Sequence, residues 1–138
     1  MIATAVAFLV HGIVYFTVFI LSATVHEYGH ALAARYFGDR TAESAGRLSL
    51  NPFKHIDIVG TIVLPLMAIF LRLPVFGWMK PVPVNPYNFR DPERNQAVVS
   101  AAGPLSNLLL IAVSFGMLKL LTFTLPGSGG NPAAFGVI

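Results

Sequence analysis

The chain opens with 25 residues, Met1 to Val25, that contain no Asp, Glu, Lys or Arg, and they lead into His26-Glu27-Tyr28-Gly29-His30, an H-E-x-x-H pattern. An apolar run of that length matches a membrane-crossing helix, which needs about 20 residues to traverse a hydrocarbon core about 30 Å thick. The motif then falls inside a membrane helix. A carboxylate and two imidazoles at that depth cost several kcal/mol unless paired or ligated, so such groups mark functional sites. Residues four apart share a helix face. His26 and His30 can therefore reach one metal ion, while Glu27 between them faces water bound there and suits a general base. A chance match of three fixed positions and a structural hydrogen-bond cluster are the competing readings, and the membrane context weakens both.

Composition agrees with a membrane setting. Hydrophobic residues make up 55% of the chain and charged residues 11%, with a mean hydropathy of +0.70, against roughly a quarter charged in soluble domains. With 138 residues the chain has room for a single all-α membrane domain, 1-138, of about three transmembrane helices. The absence of cysteine rules out thiolate ligands and leaves His and carboxylate as the metal-binding set. The net charge of +3 is modest, and no nucleic-acid site is read from it. The first segment lacks a basic leader, and its apolar run from Ile2 to Val25 exceeds the 7 to 15 residues or so of a signal-peptide core. It is expected to stay in the membrane.

Ala3 to Phe37 as one helix would be about 52 Å long, more than the bilayer core, so the helix must tilt, protrude or break, and His11-Gly12 is where an interruption is expected, with His11 a polar residue near an interface. Gly38-Asp39-Arg40 ends the helix. Arg47-Leu48-Ser49-Leu50 alternates polar and apolar residues and is expected to form a short β-hairpin or strand, whose edge could hold an extended peptide; an interfacial loop is the equal alternative. After His55-Ile56-Asp57 comes an apolar run from Ile58 to Leu71, about 21 Å if helical and carrying Pro65, which predicts a short, kinked second span. Asp57 has the chemistry of an oxygen ligand but sits where an N-cap belongs, and the cap is favoured. His55 fits either an interface or the site. Pro74 to Pro92 holds five of the ten prolines and reads as a stiff, extended connector, with Trp78, Lys80, Tyr87 and Arg90 suited to an interface. Asp91-Pro92-Glu93 supplies a cap, a proline and a first-turn acid, so a third helix begins there and is expected to reach about Leu125. Its Ser100, Ala101, Ala102, Gly103 and Ser106 permit close helix packing, and Pro104 predicts a kink. Asn107 is read first as interhelical glue and second as a partner for a ligating imidazole or a substrate carbonyl.

Taken together, His26-Glu27-Tyr28-Gly29-His30-Ala31, Gly46-Arg47-Leu48-Ser49-Leu50-Asn51-Pro52, His55-Ile56-Asp57, Gly77-Trp78 through Pro86, and Ala102-Gly103-Pro104-Leu105-Ser106-Asn107 resemble the site-2 protease family of intramembrane zinc metalloproteases, in its compact prokaryotic branch. The resemblance covers His26 through about Leu110. It implies zinc (Zn2+) held by His26 and His30, Glu27 activating water, and hydrolysis of a peptide bond in or near a transmembrane helix of a membrane-protein substrate. It also implies an integral, multi-pass protein of the prokaryotic cell membrane, with the lipid bilayer as its other partner. The family's third ligand is the aspartate of a later Leu-Asp-Gly motif, which is missing here; no Asp or Glu follows Glu93. A fragment of a longer frame is the favoured explanation, ahead of Asp57 as substitute ligand or a catalytically dead product. Rival classes are an inactive membrane homologue that binds partner helices, and a metal transporter, for which the third helix offers only Asn107 and Lys119. Basic residues follow both of the first two spans, so charge gives no clean topology; an outside N-terminus and a cytoplasmic opening near the metal are expected.

Overall fold

The computed structural model describes residues 2–71 and 73–124, all helix and loop, with no strand among them. The first helix, α1 (Ile2–Tyr36), is unbroken over 35 residues. Of the three expected accommodations, a break at His11-Gly12 is not the one taken. A lone glycine costs a helix only about 1 kcal/mol, and the polar atom of His11 is satisfied within the helix, its Nδ1 lying 2.7 Å from the Ala7 carbonyl oxygen.

The chain turns at Gly38, whose φ of 102° suits glycine, into a short α2 (Thr41–Ser44). The anticipated hairpin over residues 47–50 is a loop. Its polar groups are consumed locally: His55 Nε2 lies 2.8 Å from the Ser49 carbonyl oxygen, Asn51 N–H donates to Ser49 Oγ, and the Arg47 guanidinium donates to the Lys54 carbonyl. His55 is fully buried and serves as the pin of this loop.

A π-helical turn (Ile58–Val63) runs straight into α3 (Leu64–Phe70). Asp57 opens it as the favoured N-cap, accepting a 2.7 Å hydrogen bond from Gly60 N–H. Together these elements cover 13 residues, Ile58–Phe70, about 20 Å at α-helical rise. The expected second span is therefore too short to cross a bilayer core, and two helices, not three, are long and apolar enough among the described residues: Val6–Tyr36 within α1, and α4 (Pro92–Thr124).

Residues 73–85 form neither helix nor strand, and Asn85 at their end is extended (φ −110°, ψ 101°). The start of this arm is fastened to the turn at residues 55–61: Lys80 N–H donates to the His55 carbonyl, Trp78 N–H to the Gly60 carbonyl, and Thr61 Oγ1 to the Trp78 carbonyl. Gly60 is required here, because a Cβ would overlap the Trp78 indole. The far end is fastened by Asp39, a fully buried carboxylate. It accepts from Asn85 N–H at 2.8 Å, Asn88 Nδ2 at 2.7 Å, Thr41 N–H at 3.0 Å and the Thr41 hydroxyl. Burial pushes its pKa up, but the hydrogen bonds from Thr41, Asn85 and Asn88 outweigh that and hold the carboxyl below its ordinary value.

The cap at Asp91 and the proline start of α4 occur as expected, with Arg94 N–H 3.2 Å from Asp91 Oδ1. The chain divides into two compact units, residues 1–107 and 108–138. In the first, the small residues of α4 pack on α1. A Cβ on Gly29 would stand 2.8 Å from Ser106 Oγ and 2.9 Å from the Ala102 carbonyl oxygen, and Ser106 Oγ donates to the Val25 carbonyl at 3.1 Å. A small core of Ala34, Phe89 and Val99 closes one end of this packing. In the second unit, residues 108–124 continue as an apolar helix in which Lys119 Nζ lies 5.5 Å from the Phe115 ring centre. The expected helix end at Leu125 and the loop read at Pro126-Gly127-Ser128-Gly129-Gly130-Asn131-Pro132 lie outside the described residues.

Candidate metal and proton-transfer site

His26, Glu27 and His30 lie on α1 where it packs against the Gly103 stretch of α4. The two imidazole rings are edge to face with centres 4.7 Å apart. Their Nε2 atoms converge on the backbone of Gly103: a Cβ there would fall 2.7 Å from His26 Nε2 and closer still to His30 Nε2. Only glycine leaves room for both nitrogens. Each ring is held from behind. His30 Nδ1 lies 2.7 Å from the Val99 carbonyl oxygen, and His26 Nδ1 lies 3.3 Å from the side-chain amide of Asn107. Hydrogen bonds at one imidazole nitrogen that orient the other toward a common point are the usual support of histidine metal ligands.

Glu27 is held from a third direction. The Val82 backbone N–H donates to Glu27 Oε2 at 2.8 Å. Pro81 and Pro83 have no N–H to offer, so Val82 presents the single donor of the Pro81-Val82-Pro83 triplet. That bond fixes one carboxylate oxygen and leaves the other for a proton. Beside the motif a cavity of about 590 Å³ is lined by Tyr15, Phe19, Ser22, His26, Glu27, Trp78, Met79 and Asn107. A second, almost wholly apolar cavity of about 570 Å³ shares Tyr15, Phe19 and Gly77 with it and reaches His11.

The donor chemistry fits two positions of a tetrahedral zinc site, the two Nε2 atoms, with Glu27 beside them. Among the described residues no group of three His, Cys, Asp or Glu that could hold a metal is found. Asp57 is spent as a cap and His55 as the loop pin, so neither completes the set.

Sequence comparison bears on this arrangement. YwhC of Bacillus subtilis is 45% identical over 102 residues, covering 74% of this chain and 43% of YwhC. The chain belongs to the site-2 protease family. Rip2 of Mycolicibacterium smegmatis is 31% identical over 109 residues, 72% of this chain and 38% of Rip2. Rip2 of Mycobacterium tuberculosis is 29% identical over 102 residues, 74% of this chain and 38% of Rip2. All three carry provisional names as zinc metalloproteases. The chain thus spans about two fifths of the length of these curated relatives. No family model and no solved structure matches it.

Three contributors to this candidate site escape sequence reasoning. The Val99 carbonyl and Val82 N–H are backbone groups, which carry no side-chain signal; the one available hint was that two flanking prolines leave Val82 as sole donor. Asp39 read as a helix terminator, and the fourfold acceptor role that anchors the Val82 arm depends on Asn85 and Asn88, 46 and 49 residues away.

Proposed function

We propose that the chain is the membrane-embedded core of a zinc-dependent endopeptidase that hydrolyses peptide bonds in or near transmembrane segments of membrane proteins. The observation that carries this is the convergence of His26 and His30 Nε2 beside Gly103, with Glu27 anchored by Val82 next to them. His26 and His30 would hold the metal. Zinc, when bound, supplies Lewis-acid chemistry that activates water and polarises the scissile carbonyl. Glu27 takes the proton from the attacking water through its free carboxylate oxygen. As the water oxygen joins the carbonyl carbon and the C–N bond breaks, Glu27 delivers that proton to the leaving amine. The Val82 hydrogen bond keeps the carboxylate from swinging away between the two transfers.

The membrane reading rests on exposure as well as length. Apolar side chains along both long helices face outward, with Phe8 69% and Leu109 66% exposed, which suits acyl chains and not water. This supports an integral, multi-pass protein of a prokaryotic membrane, with lipid as its surroundings. Within the bilayer a substrate helix shields its own carbonyls and must unwind before attack, which small or helix-breaking residues ease. The two adjoining cavities, running from His11 to Glu27, offer a path for such an unwound segment. A second reading, an inactive homologue that binds partner helices, draws on the absence of a third ligand among the described residues.

Purified chain reconstituted with a single-span substrate tests the proposal. Cleavage in or beside the span is expected, lost in Glu27→Gln with zinc content kept. Undiminished cleavage by Glu27→Gln would remove Glu27 from the mechanism, and zinc binding without cleavage in the unaltered chain would favour the inactive homologue.

A further inference from the structure

The apolar cavity of about 570 Å³ lies along the first half of α1, from Phe8 to Phe19, and is bounded on its other side by α3 at Pro65 and Ile69 and by the arm at Val75 to Gly77. Tyr15, Phe19 and Gly77 also line the cavity that holds His26 and Glu27, so the two adjoin. Their character differs. Ser22, His26, Glu27 and Asn107 make the first polar, whereas the second is apolar almost throughout. A lipid tail has nothing to gain by continuing from one into the other. A peptide does, because its backbone needs polar partners where it is attacked and its apolar side chains do not.

Dimensions decide the form of that peptide. Phe8 and Phe19 are 11 positions apart, about 17 Å at α-helical rise. A helix of that length and about 10 Å across would displace about 1,300 Å³, more than twice the cavity. An extended chain covers the same distance at about 3.3 Å per residue against about 1.5 Å, hence with fewer than half the residues and about 600 Å³, which matches the cavity. Glu27 lies about 12 Å along α1 from Phe19 and about 22 Å from Gly12, distances that an extended chain covers in about four and about seven residues.

We propose that this cavity is a specificity subsite that takes, in extended form, the substrate residues about four to seven positions from the scissile bond, on the side running toward the start of α1, and selects large apolar side chains there. The inference rests on the endopeptidase reading and adds to it which part of the substrate is recognised. Moving an apolar side chain from lipid into an apolar cavity brings no hydrophobic gain, so selection comes from packing. Gly12 keeps the space open on α1, since a Cβ there meets nothing within 4 Å.

The test scans a photo-crosslinking benzoylphenylalanine through the span of a single-span substrate, mixed in detergent with the Glu27→Gln chain so that nothing is cleaved. The substrate position captured by Ser22, Trp78 or Met79 marks the origin. Positions about four to seven residues from it, on one side only, are expected to be captured between Phe8 and Phe19 or at Val75 and Phe76. Gly12→Phe and Val75→Trp, which add bulk on different walls, are expected to abolish that capture and keep the one at the origin. With Glu27 restored, each should lower kcat/KM by about tenfold or more, with zinc content unchanged. A Leu→Ala change at the captured substrate positions should cost the unaltered chain about as much and cost the filled variants nothing further. Gly116→Phe is the control: a Cβ there also meets nothing within 4 Å, and Gly116 is not part of the lining. Capture in the cavity at about 8 to 15 residues from the origin, the spacing of a helix, overturns the inference. So does no capture there, as for a cavity that holds only lipid, or filled variants that capture and cleave like the unaltered chain. Capture at the expected spacing in a chain whose Glu27 form cleaves no substrate supports the subsite and overturns the endopeptidase reading instead.

Discussion

Gly103→Ala adds one methyl group at the point where the site is tightest. Its Cβ would lie 2.7 Å from His26 Nε2 and nearer to His30 Nε2, where ordinary contacts fall at 3.4 to 4 Å. Neither ring can retreat freely, because its opposite nitrogen is bonded to Val99 or Asn107. Accommodation therefore breaks at least one hydrogen bond, worth about 0.5 to 1.5 kcal/mol, or spreads α1 from α4 at an overpacking cost of about 1 to 3 kcal/mol. A loss of about 0.5 to 3 kcal/mol is expected, according to which of the two gives. It would be read as a shift in the unfolding midpoint in mixed detergent micelles, with zinc affinity falling at the same time. Gly12→Ala is the matched control, since a Cβ there meets nothing within 4 Å and should be neutral or raise stability by up to about 1 kcal/mol through helix propensity. If Gly103→Ala and Gly12→Ala behave alike, the two Nε2 atoms do not converge on Gly103 and the site geometry is wrong.

Other outcomes follow from the arm and its anchors. Val82→Pro keeps the extended course but deletes the N–H on Glu27, so kcat should fall by about tenfold or more, the equivalent of a hydrogen bond to a charged group, with KM and zinc content little changed. Asp39→Asn puts an NH2 against either Asn85 N–H or the Thr41 and Asn88 donors, and should cost about 1.5 to 3 kcal/mol. Because the Asp39 carboxyl is held below its ordinary pKa in the fold, its contribution is fully present above that ordinary value. It fades as pH falls below the ordinary carboxylate range toward the lower folded pKa. Denaturation followed through acid pH should therefore show a decline in the native chain that Asp39→Asn lacks, and parallel curves would refute the assigned role. Gly60→Ala should detach the Trp78 segment and lower stability by about 1 to 3 kcal/mol, measured by the same unfolding assay.

The parts of this molecule written in local chemistry were legible before any coordinates. H-E-x-x-H on an apolar run determined the face shared by His26 and His30, Asp91-Pro92-Glu93 marked the start of α4, Asp57 was read as a cap, and the small residues around Gly103 announced a close helix approach. Errors arose where a local signal competed with something it could not see. Gly12 looked like a break, but one glycine is a minor cost in a long apolar helix. Arg47 to Leu50 alternated like a strand, yet His55 and Arg47 turned its neighbourhood into a self-contained loop. The bracing of Glu27 and of His30 was invisible, since it uses backbone groups brought in from 55 and 69 residues away.

The most direct test of the metal centre is elemental analysis of zinc in the purified, folded chain beside His26→Ala and His30→Ala. Bound zinc that is lost in each variant is expected. A zinc content that survives either substitution, or a folded native chain that binds none, would contradict a metal centre built on His26 and His30.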